Sequence, residues 1–156
     1  LPSASVDVVV NFQVIEHLWD QGQFVAECLR VLRPGGVLLM STPNRITFSP
    51  GLDTPVNPFH TRELNAAELT ELLESAGFVI EDAYGVFHGE RLAELDARHG
   101  GSIIDAQITR ALADAPWSAE LLADVVSISI DDFDLLPADT RDIDDSLDLV
   151  AIAVRP

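Results

Sequence analysis

Residues 1–18 read LPSASVDVVVNFQVIEHL, and this stretch decides the fold. Val6, Val8, Val9 and Val10 make an almost unbroken apolar run. A strand with one wet face alternates, whereas a strand covered on both faces does not, so the run predicts a buried parallel strand over 5–11. A helix is expected next, with Asp20 as its cap and Gln23 three residues on. Its apolar stripe is Phe24, Val25, Cys28, Leu29 and Leu32, with Arg30 and Arg33 in the last turn, where cations suit the dipole, and Pro34-Gly35-Gly36 as its stop. Residues 37–41, VLLMS, repeat the buried-strand pattern.

Further along, Asn65 caps a second helix with Glu68 at its third position, Leu69, Leu72, Leu73 and Ala76 face the core, and Gly77 ends it. Residues 78–87 read as a third strand interrupted by Gly85. Strand, helix, strand, helix, strand predicts a parallel sheet covered by helices. The segment 88–126 reads as helical: Leu92 and Leu95 mark one helix, Ser102 opens another through Ile104, Ile108 and Leu112, and Ser118 caps a third. The acids between Asp131 and Asp148 read as a solvated connection before a last hydrophobic strand over 147–154. One domain is expected, with a core of 1–87 and 127–156 and a helical insertion or lid of 88–126.

Composition narrows the function. The 156 residues carry a net charge of −17, with 26 acids against nine arginines and no lysine. Such a surface repels phosphate backbones, so neither a nucleic acid nor an anionic membrane is expected as partner. No run is long enough to cross a bilayer and no secretory leader is visible, while the single cysteine, Cys28, suits a reducing compartment, so a cytoplasmic location is expected. Cys28 falls on an apolar helix face and reads as a buried thiol. His88 and His99 read as surface residues.

Three stretches together, 1–18, 31–44 (VLRPGGVLLMSTPN) and 57–78 (NPFHTREL with AELTELLESAGF), resemble the class I, Rossmann-like, S-adenosylmethionine-dependent methyltransferases. The terminal LDLVAIAVRP resembles that family's final antiparallel strand. The resemblance implies the C-terminal half of a seven-stranded methyltransferase sheet with a helical insertion before the last strand. It also implies a glycine-rich cofactor turn and a ribose-binding acid, yet no G-x-G-x-x-G stands in this sequence. The N-terminal, cofactor-gripping half is therefore expected to be absent, and this fragment alone to be inactive. A bare edge on the first strand is expected to recruit other chains, giving a homo-oligomer.

By resemblance, Asn11, Phe12 and Gln13 line the methionine part of the cofactor, at the strand end where open α/β sheets bind ligands. The plainer alternative for Phe12 is core. If the chain turns helical after the strand, Gln13, Glu16 and His17 share one face, and His60 can meet them from the loop after the next strand. Glu16, His17 and His60 are the expected catalytic residues, a histidine acting as general base for a hydroxyl acceptor. A small group of similar methyltransferases holds a divalent metal with two Glu and two His here. Gln13 in place of one Glu makes a metal the less favoured use, and hydrogen-bonded wall residues are the plainer one. The expected function is methyl transfer to a hydroxyl of a small molecule or sugar; the alternative is a non-catalytic binding or structural module.

Overall fold

A computed structural model describes all residues, Leu1–Pro156. The elements run β1 (Val6–Phe12), α1 (Gln21–Val31), β2 (Leu32–Pro43), α2 (Arg45–Phe48), α3 (Ala66–Ala76), β3 (Val79–His88), α4 (Glu90–Arg98), α5 (Ile103–Leu112), α6 (Ala119–Ser127), β4 (Phe133–Pro137) and β5 (Asp148–Val154). The chain divides into two compact units, 1–87 with 135–156, and 88–134.

The five strands lie in the order β1-β2-β5-β3-β4. β1 and β2 are parallel, and β5 enters antiparallel between β2 and β3. In the first unit, Leu38, Met40, Leu149, Ala151 and Ala153 present one sheet face to Val25 and Cys28 of α1 and to Leu69 and Leu73 of α3. The other face differs from the expectation for β1: Val8, Val10 and Phe12 are each more than half exposed. β1 pairs with β2 alone and forms one edge of the sheet. The bulge between its Val6 and Val8 pairings absorbs Pro34-Gly35-Gly36, so β2 starts at Leu32 and Arg33 belongs to the strand, not to the helix end.

Caps explain the helix starts. The Asp20 side chain accepts from Gln23 N, and Asn65 with Glu68 closes a full capping box. Gly77, at φ 103°, ends α3 in a left-handed turn that a Cβ would strain. Gly85 answers to space: a Cβ there would lie 2.6 Å from Ser146 Cβ. Asn44, fully buried, ties the end of β2 to the turn before β5 by donating from Nδ2 to the carbonyls of Ile143, Asp144 and Ser146.

The helical unit packs around Leu92, Leu95, Ile103 and Leu121. Ser102 caps α5 as expected, but the stripe Ile104, Ile108, Leu112 is exposed; Ile103 is the buried residue, one position round the helix. His88 and His99 are not free surface residues either. Their rings pair with Asp96 (2.5 Å) and Asp124 (2.8 Å). The acidic connection also contains structure, since Phe133–Pro137 adds β4 beside β3. No helix is long and apolar enough to cross a membrane.

Candidate functional site

The C-terminal end of β1 is where the chain changes course. Asn11 still pairs in register with Met40, and Gln13 then turns out of the strand at φ 55°, a left-handed conformation uncommon for a residue with a Cβ. Its backbone N–H donates to Ser41 O, and its Nε2 donates to Ser41 Oγ (3.3 Å) and Asp148 Oδ1 (3.2 Å). Only Ile15–His17 then forms a helical turn, of the 3-10 type. Gln13 lies outside it, so the shared face expected for Gln13, Glu16 and His17 does not exist: Gln13 points to β2 and β5. Phe12, 53% exposed, is not core.

The 3-10 turn captures the loop after β2. Glu16 O accepts from Thr61 N (2.7 Å) and Thr61 Oγ1 (3.1 Å), and Thr61 Oγ1 also reaches Leu18 O (2.7 Å). Gln21 Nε2 bridges Ile15 O and Arg62 O. These bonds set His60 beside His17, with ring centroids 4.8 Å apart and edge to face. Phe48 stacks on the outer side of His60 at 5.4 Å.

Glu16, His17 and His60 converge: one ligand atom from each lies within 4.8 Å of the others. Glu16 is 1% exposed, its Oε2 accepting from Thr42 Oγ1 (3.2 Å) and its Oε1 lying 3.8 Å from His17 Nε2. The His17 side chain is 43% exposed, and its Nδ1 is 2.9 Å from Phe59 O. A carbonyl only accepts, so Nδ1 carries the proton and Nε2 is left with a lone pair. Asp148 stands nearby, its carboxyl raised above the usual carboxylate range by burial, and further by the charge of Glu16. Buried Cys28 has its thiol pushed up to about 11, chiefly by desolvation, which makes it inert.

Two participants escaped the sequence reading. Glu63 Oε1 lies 2.6 Å from His60 Nδ1, and Asn57 Nδ2 lies 2.9 Å from His60 Nε2. The spacing His60-x-x-Glu63 was the available signal, but it also fits an ordinary loop. Phe12, Val14, Trp19 and Phe59, each close in sequence to a member of the cluster, are exposed apolar side chains.

A methyltransferase-domain family model matches residues 1–40. A probable S-adenosylmethionine-dependent methyltransferase of Mycolicibacterium smegmatis is 81% identical over all 156 residues, which make up 61% of its length. The chain thus spans about three-fifths of that relative. A ubiquinone biosynthesis O-methyltransferase of Chelativorans is 30% identical over 93 residues, 53% of this chain and 37% of that protein. Among solved structures, a methyltransferase from Thermotoga maritima, described as a possible histamine N-methyltransferase, superposes over the whole chain and 59% of its own. Its TM-score is 0.63 at 14% identity, a likeness of fold alone. In sequence the chain is similar to S-adenosylmethionine-dependent methyltransferases, and its fold is like that of their Rossmann-like class.

Proposed function

We propose that the complete protein transfers a methyl group from S-adenosylmethionine to a hydroxyl of a small molecule or sugar, received at Glu16, His17 and His60. The convergence of these three side chains at the C-terminal end of β1 is the observation that carries the reading. The cofactor, when bound, supplies an already activated methyl group, so the protein's task is alignment of the acceptor and removal of its proton. His17 suits the second task. Its Nδ1 proton is held by Phe59 O, its side chain is partly exposed, and Glu16 Oε1 lies 3.8 Å from Nε2, placed to face the positive charge that arrives with the proton. The exposed aromatic rings of Phe12, Trp19 and Phe59 suit the flat face of a sugar ring or an aromatic alcohol. The 30%-identical O-methyltransferase supports an oxygen acceptor.

Asn11 fits the methionine end of the cofactor: its Oδ1 is buried with no hydrogen-bond partner, an acceptor suited to an ammonium donor. Phe12 belongs to the same wall, whereas Gln13 is engaged by Ser41 and Asp148 and reaches the ligand only by exchanging those bonds. No glycine-rich cofactor turn follows a strand within residues 1–156. Titrated alone, this chain should therefore bind S-adenosylhomocysteine weakly; micromolar affinity, about −8 kcal/mol, would overturn that expectation.

The spacing of ligand atoms, within 4.8 Å, supports a second use of the same residues, as two imidazoles and one carboxylate around a divalent ion. Donors on one ion lie about 2.0–2.2 Å from it, so His17 would swing inward. The test is turnover of the complete protein with methyl-labelled cofactor and hydroxyl acceptors. Label should appear in an ether, in step with S-adenosylhomocysteine release; label on nitrogen or carbon refutes the acceptor class. Turnover that survives a chelator favours the base, and loss restored by Mn²⁺ favours the ion.

A further inference from the structure

Glu63 is the least solvated carboxylate of the site, and its environment does not explain it as packing. Its side chain has no exposed surface, its Oε1 lies 2.6 Å from His60 Nδ1, and its Oε2 has no partner. No arginine pairs with it; Arg45 and Arg62 both turn to Glu68. A buried carboxylate with one oxygen unpaired costs stability, and an apolar side chain would fill the volume without that cost.

The bonds around His60 show what the carboxylate does. Its Nδ1 faces a group that only accepts, and its Nε2 faces the Asn57 amide nitrogen, which only donates. The orientation of that amide is itself fixed, because Asn57 Oδ1 accepts from Phe59 N at 3.0 Å. Both neighbours therefore demand one tautomer, with the proton on Nδ1 and the lone pair on Nε2. The Glu63 contact is short and charge-assisted, and it comes from a fully buried group. The Asn57 contact comes from a half-exposed loop residue.

We propose that Glu63 is a positioning residue for the methyl-transfer site: it fixes the tautomer and orientation of His60, so that the acceptor is Nε2, whose lone pair a ligand takes over by displacing the Asn57 amide. The inference rests on the proposed use of His60, and it holds whether that nitrogen receives a proton or an ion, since both need the lone pair.

The test reads the His60 ring directly by long-range ¹H–¹⁵N NMR on the full chain, with no acceptor required. In the wild type and in Asn57→Ala, the proton should reside on Nδ1. In Glu63→Gln, whose amide can donate to Nδ1, the ring should shift toward the Nε2–H tautomer or a mixture. Turnover of the complete protein should then fall about 10–100-fold with little change in cofactor KM. A Glu63→Gln ring still protonated on Nδ1 alone overturns the proposal, as does a tautomer flip in Asn57→Ala while Glu63 is intact. A flip in Glu63→Gln with turnover unchanged leaves the structural effect but refutes the use of His60, and so separates this inference from the functional reading beneath it. If Glu63→Gln fails to fold, the Asn57→Ala ring decides alone.

Discussion

His88 and His99, in the helical unit, each meet an aspartate whose oxygens are all employed. Asp96 accepts from the His88 ring with Oδ2 and from Ile103 N with Oδ1, while Asp124 accepts from His99 and from Arg98 on both oxygens. His17 and His60, in the sheet unit, pack edge to face against each other, and the carboxylate on His60, Glu63, has only one oxygen employed. In the same unit Glu63 Oε2 and Asn11 Oδ1 have no partner, and the charge of Glu16 helps to raise the Asp148 carboxyl. The same residue type thus serves two ends. Closed polar networks hold a fold together, whereas buried polar atoms left unsatisfied need a reason, and a ligand is the usual one. The contrast supports the proposal that the sheet unit's pair is the chemical one.

The strongest way to break that contrast is to remove each ring in turn from the complete protein. His17→Ala should lower turnover about 10²–10⁴-fold, roughly 3–5 kcal/mol of barrier, as expected for loss of a proton acceptor. His60→Ala should fall in the same range, and neither should change cofactor affinity much. His88→Ala and His99→Ala should leave turnover within a few-fold and lower the melting temperature instead. Equal kinetic losses for all four variants, read from initial rates and thermal melts, would abolish the distinction.

The two regions also differed in how plainly the sequence announced them. Caps were legible throughout, at Asp20, Asn65, Ser102 and Ser118, because a cap is a local bond over three residues. Strands near 6–12, 37–41, 79–88 and 148–154 were legible from apolar runs, though not that β2 starts at Leu32 or that β5 would insert between β2 and β3. β4 was hidden because FDLLP is short and set among aspartates. α5 was read one residue out of phase, since Ile103 and Ile104 are alike to any periodicity. At the site, the meeting of Glu16, His17 and His60 was legible as a possibility of topology. Gln13 was misplaced because a left-handed turn precedes the helical one. Glu63 and Asn57 went unread, since the His60-x-x-Glu63 spacing fits any loop and their importance depends on a ring orientation that only tertiary bonds create.

A second contrast lies within the sheet unit, between the face under α1 and α3 and the open apolar face at β1. Val8, Val10 and Phe12 project from a strand with one free edge, an arrangement that invites pairing. This chain should self-associate in light scattering at micromolar concentration, and Val8→Lys with Val10→Lys should shift it toward monomer. A monodisperse 16.9 kDa species for the unaltered chain would remove the argument.

The smallest expected effect is also the most discriminating, because two aspartates should respond to pH with opposite signs. Asp124 is held below the usual carboxylate range, first by its hydrogen bond to His99 and then by Arg98. Its native form binds fewer protons than the unfolded chain, so its contribution is complete above the unfolded value near 3.9 and fades as pH falls below it. Asp148 is shifted the other way, first by burial, with Gln13 opposing and Glu16 adding to the rise. Its native form keeps a proton that the unfolded chain has released, so stability declines as pH rises from about 4 through the raised value, and the penalty persists above it. Asp124→Asn should therefore lower the melting temperature at pH 7.5, and Asp148→Asn should raise it slightly, with Gln13 still able to donate to the new amide oxygen. The Asp148 difference should shrink as melts are repeated toward pH 4, and the Asp124 difference only as pH falls below about 3.9. If Asp148→Asn destabilises at pH 7.5, the charge beside Glu16 is not a burden on the fold, and the uncompensated carboxylates cease to set this site apart from the closed pairs of the helical unit.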